Sequence, residues 1–223
     1  MSQVIILRPQ PAAGRTAARV AALGLCPLVH PLFAPQPLDW TPPPTEDFDA
    51  VLLTSANGVR LAGPGIGRYR SLPTYAVGEA TALALVQAGF ADVTAGTADG
   101  SMIAARIARD GHRAILHLGG RHVAPLDPGP LRIDRIAVYA MNEAPQAAAL
   151  PATIEPGDIL LIHSPRAGER AAALLSPLAR ETLHIVAISP AAALAAGDGW
   201  ASVQSSAQPQ DDAMLALAAR LCK

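Results

Sequence analysis

Six short segments concentrate hydroxyl, glycine and arginine residues, and each follows an apolar run: Arg8-Pro9, Thr54-Ser55-Ala56-Asn57, Gly78-Glu79-Ala80-Thr81, Gly119-Gly120-Arg121, Ser164-Pro165-Arg166 and Ser189-Pro190. Small residues at such places leave a following helix N-terminus uncovered. Its unpaired N–H groups and dipole attract carboxylates and phosphates. Two rims of this kind would suit a ligand with many negative groups. Each residue also has a plainer reading: Ser55, Ser164 and Thr81 as helix N-caps, Arg8 and Arg121 as solvated surface charges. No G-x-S-x-G elbow, phosphate loop or H-E-x-x-H pair occurs, and Gly63-Pro64-Gly65-Ile66-Gly67 neither follows a strand nor matches G-x-G-x-x-G. Ordinary nucleotide-dependent chemistry is therefore disfavoured. The six histidines show no i, i+4 pairing with a carboxylate, and only His117 and His122 are neighbours, so no metal site is expected.

The elements that must carry these residues alternate. Apolar runs at Val4–Leu7, Ala50–Leu53, Thr74–Val77, Ala114–Leu118, Ile159–Ile162 and Ile185–Ile188 are interleaved with Ala-rich segments of helical length, the pattern of a parallel sheet covered on both faces. Ala12 to Leu23 predicts a helix stopped by Gly24, and a second begins near Ser101 with Asp99 to cap it and Ile103 and Ile107 on one face. In a sheet of this type ligands sit beyond the carboxyl ends of the strands, where the six segments fall.

The middle of the chain is echoed at its end. Ser55 and Ser164 are 109 residues apart, Gly78 and Ser189 111, and Met102 and Met214 112, each in a similar local setting. Proline-rich stretches at Pro31–Pro37, Pro42–Pro44 and Ala144–Gly157 read as linkers, because proline continues neither a helix nor a central strand. The N-terminal strand and helix need a sheet to join. One domain is therefore expected from 1–34 plus 150–223, interrupted by a second over 38–140, with linkers near 35–37 and 141–149.

Bulk properties narrow the field further. The chain has 223 residues, 51% of them hydrophobic but only 4% aromatic, which favours close-packed Ala-rich helices on aliphatic strands. A formal charge of -1 without long runs of one sign argues against nucleic acid or an anionic membrane as partner. No stretch approaches the ~20 apolar residues of a spanning helix and no signal peptide is evident, so a cytoplasmic location is expected. Cys26 and Cys222 form no metal or disulfide spacing and read as small buried hydrophobes.

Taken in order, these landmarks resemble the uroporphyrinogen-III synthase family over nearly the whole chain. Leu7-Arg8-Pro9 with the helix to Gly24 and Pro31-Leu32 is similar to its opening. Leu53 to Val59 resembles its T-S-x-x-A-V segment, and Tyr75 to Leu83 with Gly89 its V-G-x-x-T-A-x-A-L…G segment. Val138-Tyr139, Asp158 to Ser164 and Ile188-Ser189-Pro190 follow in place. The resemblance implies an α/β protein of two similar flavodoxin-like parallel-sheet domains joined by a two-stranded linker, the first discontinuous. It also implies a monomer without metal or organic cofactor, whose substrate hydroxymethylbilane, a linear tetrapyrrole, is closed to uroporphyrinogen III with its last ring inverted. Tyr139 would then assist departure of the hydroxyl. Ser55, Thr81 and Ser164 would bind carboxylates, with Arg8, Arg121 and Arg166 adding charge-assisted contacts and Thr54, Ala56, Gly78 and Ser189 completing the set. Two departures stand out: Ala192 lies where the family's second segment has threonine, and Pro125 to Pro130 is too proline-rich for the helix usual there. A two-lobed binding protein without catalysis and a nucleotide-using transferase are the competing readings.

Overall fold

The computed structural model describes residues 2–96 and 100–222. Two compact units result, Met1–Ala34 with Asn142–Lys223, and Pro35–Met141. Each is a mostly parallel sheet between helices, β3 running antiparallel to its neighbour β8 in the second. In the first unit the elements are β1 (Gln3–Ile6), α1 (Ala12–Ala22) and β2 (Cys26–Val29), then β9 (Ile159–Ile162), α5 (Pro165–Leu174), α6 (Pro177–Arg180), β10 (His184–Ala187), α7 (Pro190–Ala196), β11 (Ser202–Ser205) and α8 (Asp211–Leu221). The intervening strand β3 (Phe33–Pro37) leads to the second unit, with β4 (Ala50–Leu53), α2 (Ala56–Leu61), β5 (Thr74–Val77), α3 (Glu79–Gln87), β6 (Val93–Gly96), α4 (Gly100–Arg109), β7 (Ala114–Gly120) and β8 (Arg132–Glu143). Among the described residues no helix is long and apolar enough to cross a membrane.

The sheet orders are β11-β10-β9-β1-β2 and β3-β8-β7-β4-β5-β6. Reversing the second and setting β3 aside matches β6, β5, β4, β7 and β8 to β11, β10, β9, β1 and β2, one for one. The same strand order is thus built twice, with the strand pair β1 and β2 that opens the chain in one copy matched by β7 and β8, which close the segment in the other. The central strands β1, β4 and β9 have every rung from Val4, Ala50 and Ile159 onward at 0% exposure, as strands covered on both faces must. Helices α1 and α8 bury Ala13, Val20, Met214, Leu215 and Ala218 against Val4, Ile6, Ile159 and Leu161. In the second unit α4 lays Ile103, Ala104 and Ile107 on Ala50, Leu52 and Ile115.

Three expectations change. Phe33–Pro37 is not a bare linker but an edge strand beside β8, with the Leu38 N–H donating to the Val138 carbonyl and the Ala144 N–H to the Leu32 carbonyl. An edge tolerates prolines such as Pro35 and Pro37, whose missing N–H groups would break a ladder only in a central strand. Residues 142–149 belong to the first unit, in which the 3-10 turn Ala147–Ala152 buries Ala147 and Leu150. Cys26 is exposed, on the edge strand β2, and Cys222 is half-buried, so neither is a core residue. Helix α1 ends as expected at Ala22, with Gly24 at φ +74°, while the Asp99 cap lies outside the described residues.

Helices α5 and α7 cross closely at Gly168, where a Cβ would lie 2.9 Å from both the Ala192 carbonyl oxygen and the Ala196 nitrogen. Backbone cannot yield as a side-chain tip can. Gly168→Val is expected to destabilise the protein by about 1–3 kcal/mol through forced separation of these helices; an unchanged urea midpoint would show that the crossing is loose.

Candidate functional site

In the second unit Thr54 and Ser55 just past β4, Val77 at the end of β5, Gly100 at the start of α4, Tyr139 within β8 and the strap at 122–126 line one cavity of about 260 Å³. Ser55 is extended at φ -154° and its Oγ accepts from the Asn57 N–H at 3.2 Å, capping α2. The cap uses a lone pair and leaves the hydroxyl proton to donate. Ala56 is the first residue of α2. Gly78 begins α3 at φ +81°, a conformation that favours glycine.

Tyr139 is 9% exposed, and its ring lies over Gly120, where a Cβ would meet Cζ at 2.9 Å and the phenol oxygen at 3.1 Å. A bulge between Gly119 and Gly120 brings Gly120 opposite Tyr139. The glycine pair is thus what allows the phenol to lie across the tip of β7 and line the cavity. Thr81, in the first turn of α3, is 4% exposed and does not line it. Its counterpart Ala192 is at 0% in α7, so in both copies this position faces the interior. The Arg121 side chain is exposed, while its N–H donates to the Tyr139 carbonyl at 2.8 Å.

Two residues of this site escape the sequence reading. His117, 1% exposed in β7, places Nε2 3.2 Å from Thr54 Oγ1. Burial first and the Arg135 guanidinium second push its pKa down to about 4, so the ring is neutral near pH 7. Arg135 donates through Nη2 to the carbonyls of Gly120 at 2.7 Å and Arg121 at 2.8 Å, pinning the end of β7. The sequence brings His117 forward only as a neighbour of His122, at a place where no metal site is expected.

The first unit treats the matching positions differently. Ser164 caps α5, with Oγ accepting from Ala167 N–H at 3.2 Å, and Ser189 caps α7, accepting from Ala192 N–H at 3.3 Å. Arg8 is engaged: Nη1 lies 2.8 Å from Asp211 Oδ1 and 3.4 Å from Thr16 Oγ1. Asp211 also accepts from the buried Thr16 hydroxyl at 2.6 Å. Burial would raise its pKa, but the Thr16 hydrogen bond and the charges of Arg8, His163 and Arg19 outweigh burial and hold it below the ordinary value. His163 stands with Nε2 3.4 Å from the same carboxylate, close but without a well-aligned hydrogen bond. Its pKa is pushed down to about 4 by burial and by Arg8, against the pull of Asp211. Arg166 stacks its guanidinium 4.1 Å above the Phe33 ring, beside the Arg170–Glu143 ion pair at 2.7 Å. Thr54, Ser55 and Tyr139 therefore meet in one cavity, whereas Arg8 is neutralised within its own unit and Thr81 is buried.

The family model described as uroporphyrinogen-III synthase HemD matches residues 14–216. Among curated proteins none matches significantly at the sequence level. Of solved structures, uroporphyrinogen-III synthetase from Helicobacter pylori 26695 is similar with a TM-score of 0.65 at 17% identity, covering 99% of this chain and 100% of that one. That likeness speaks to the fold. Uroporphyrinogen III synthase from the extremely thermophilic bacterium Thermus thermophilus aligns at 17% identity over 100% of this chain and 98% of that one, with a TM-score of 0.43.

The two buried histidines set a pH dependence. Between pH 6.5 and about 4 the unfolded chain binds protons at His117 and His163 that the folded chain refuses, so stability is full above pH 6.5 and falls as pH drops, by up to about 1.4 kcal/mol per unit for each ring. Urea midpoints measured from pH 7 to about pH 4.5 should decline, and His163→Gln should flatten the decline. Equal slopes for variant and wild type would show that His163 is solvated.

Proposed function

We propose that this chain, which belongs to the uroporphyrinogen-III synthase family, closes hydroxymethylbilane to uroporphyrinogen III. Loss of the hydroxyl from the first ring leaves a cation stabilised by its pyrrole nitrogen. The substituted carbon of the last ring attacks that centre. The spiro intermediate then breaks and rejoins with the ring reversed, and water is released. The unaided reaction gives the uninverted isomer, so the protein's task is to fix the end rings while the spiro carbon forms.

The observation that carries this reading is the meeting of the Tyr139 phenol with the hydroxyls of Thr54 and Ser55 in one cavity. A phenol is a proton donor suited to a departing hydroxyl, and such general acids contribute ~10²–10⁴-fold. The hydroxyls of Thr54 and Ser55 suit the acid side chains of the same ring. At about 260 Å³ the cavity falls below the ~300–1,000 Å³ that encloses a drug-sized ligand. It fits one terminal ring, with the rest of the tetrapyrrole outside.

Hydroxymethylbilane generated in place, with the product oxidised and its isomers separated by chromatography, should yield predominantly type III porphyrin. Type I alone would defeat the reading, and type I with tight substrate binding would favour a binding protein instead. Tyr139→Phe should lower kcat about a hundredfold with little change in KM; an unaltered rate would remove the phenol from the mechanism.

A further inference from the structure

We infer that His117 is a positioning residue for this reaction: it directs Nε2–H at Thr54 Oγ1, so that the Thr54 hydroxyl turns its own proton into the cavity it shares with Tyr139. The inference deepens the proposed function and rests on it for its kinetic part.

The fold alone gives no reason for a histidine here. The register pairs His117 with Leu52 in β4, as Ile6 pairs with Leu161 in β9 of the other copy. Ile6 and His117 thus occupy the same rung of duplicated sheets, both essentially without solvent exposure. An aliphatic residue fills that rung in one copy, while its counterpart holds a polar ring among Ile115, Leu116 and Leu118, all at 0%. A buried polar atom left unpaired costs about 1–3 kcal/mol, and for Nε2 the neighbour is Thr54 Oγ1.

The surroundings differ between the copies as well. In the first unit α1 covers the sheet between β1 and β2 with Ala13 and Val20. Between β7 and β8 there is no helix, and residues 121–131 cross as a strap. Beneath it lies a second cavity of about 440 Å³, lined by His117, Leu131, Ile133 and Arg135 together with strap residues Val123 to Leu126, which also line the first. The imidazole faces the strap cavity and Thr54 the catalytic one, so their contact at 3.2 Å is a polar link between the two. Gly119 guards it: a Cβ there would lie 3.2 Å from His117 Nε2 and 3.3 Å from Val123 Cγ1.

Direction follows from chemistry. A threonine hydroxyl has one proton and two lone pairs. If it donated to the ring, it would offer only lone pairs to a ligand whose carboxylates and leaving oxygen are themselves acceptors. If it accepts Nε2–H, its proton is released to that ligand. A ring kept neutral by burial and Arg135 retains the choice between these tautomers, and the second is the productive one.

Five enzymes and one spectrum test this: wild type, His117→Leu, His117→Gln, Thr54→Val and the His117→Leu/Thr54→Val double variant in the isomer-resolved assay, with 15N-detected histidine tautomers of the wild type. His117→Leu should lower kcat/KM about tenfold, His117→Gln should recover most of it because its amide N–H replaces Nε2–H, and His117→Leu should add less than about twofold once Thr54 is valine. The spectrum should show His117 as the Nε2–H tautomer. Wild type giving no type III would sink the proposed function, and the inference would then be decided by the spectrum. Wild type giving type III with additive losses, no recovery by glutamine, or an Nδ1–H ring would overturn the positioning role while leaving the function standing. Should His117→Leu fail to fold, the glutamine variant and the spectrum decide.

Discussion

In a parallel sheet with short βα turns, every strand of a unit ends on the same edge, and the residue after it must both turn the chain and begin a helix. The choice of residue there is narrow: a hydroxyl that accepts a free N–H two or three residues on, as at Ser55, Ser164 and Ser189, or a glycine at positive φ, as at Gly78. These are also the residues that leave donors pointing outward. Chemistry and folding therefore compete for the same atoms, and capping consumes only half of what each serine offers. The structural and the ligand-binding readings of these serines are compatible rather than exclusive.

How far the sequence reveals this depends on burial. β1, β4, β5, β7, β9 and β10 are evident as apolar runs because helices cover both faces of the sheet. The edge strands β2, β3, β6 and β11 are half-exposed and carry Pro27, Pro35, Pro37, Thr94 and Gln204, residues that a run-based reading assigns to loops. The paired edge at β3 shows how far proline misleads when only central strands are considered. Duplication is legible because serine and glycine landmarks recur at near-constant spacing, even though the pieces are permuted between copies.

The site is legible where a residue follows a strand and hidden where its partner is remote. Arg8 reads as an anion receptor until Asp211, 203 positions away, is seen to hold it at 2.8 Å. Thr81 reads as a cavity hydroxyl until α3 turns it inward. His117 sits in Ala-Ile-Leu-His-Leu, where composition says core, and only the cross-strand contact with Thr54 gives it another role. The Gly119-Gly120 pair is a signal that could have led there: two glycines at a strand tip mark a close approach, here of the His117 and Tyr139 rings.

Where the copies differ, the differences share one direction. Arg8 and Gly119 occupy corresponding tips, as do Ile6 and His117, and α1 stands against the proline-rich strap. The first copy fills its tip with a large side chain, satisfies that charge internally through Asp211 and covers the sheet with a packed helix. The second removes the side chain, buries a neutral donor beneath, and leaves cavities under an irregular segment. A duplicated fold lets the second copy open cavities beside a buried imidazole at this tip, while the first keeps its own buried polar groups, Thr16 and His163 among them, gathered around Asp211. The strap, which lacks a helix because of Pro125, Pro128 and Pro130, is then not a degraded helix but the means by which one sheet face stays open to chemistry.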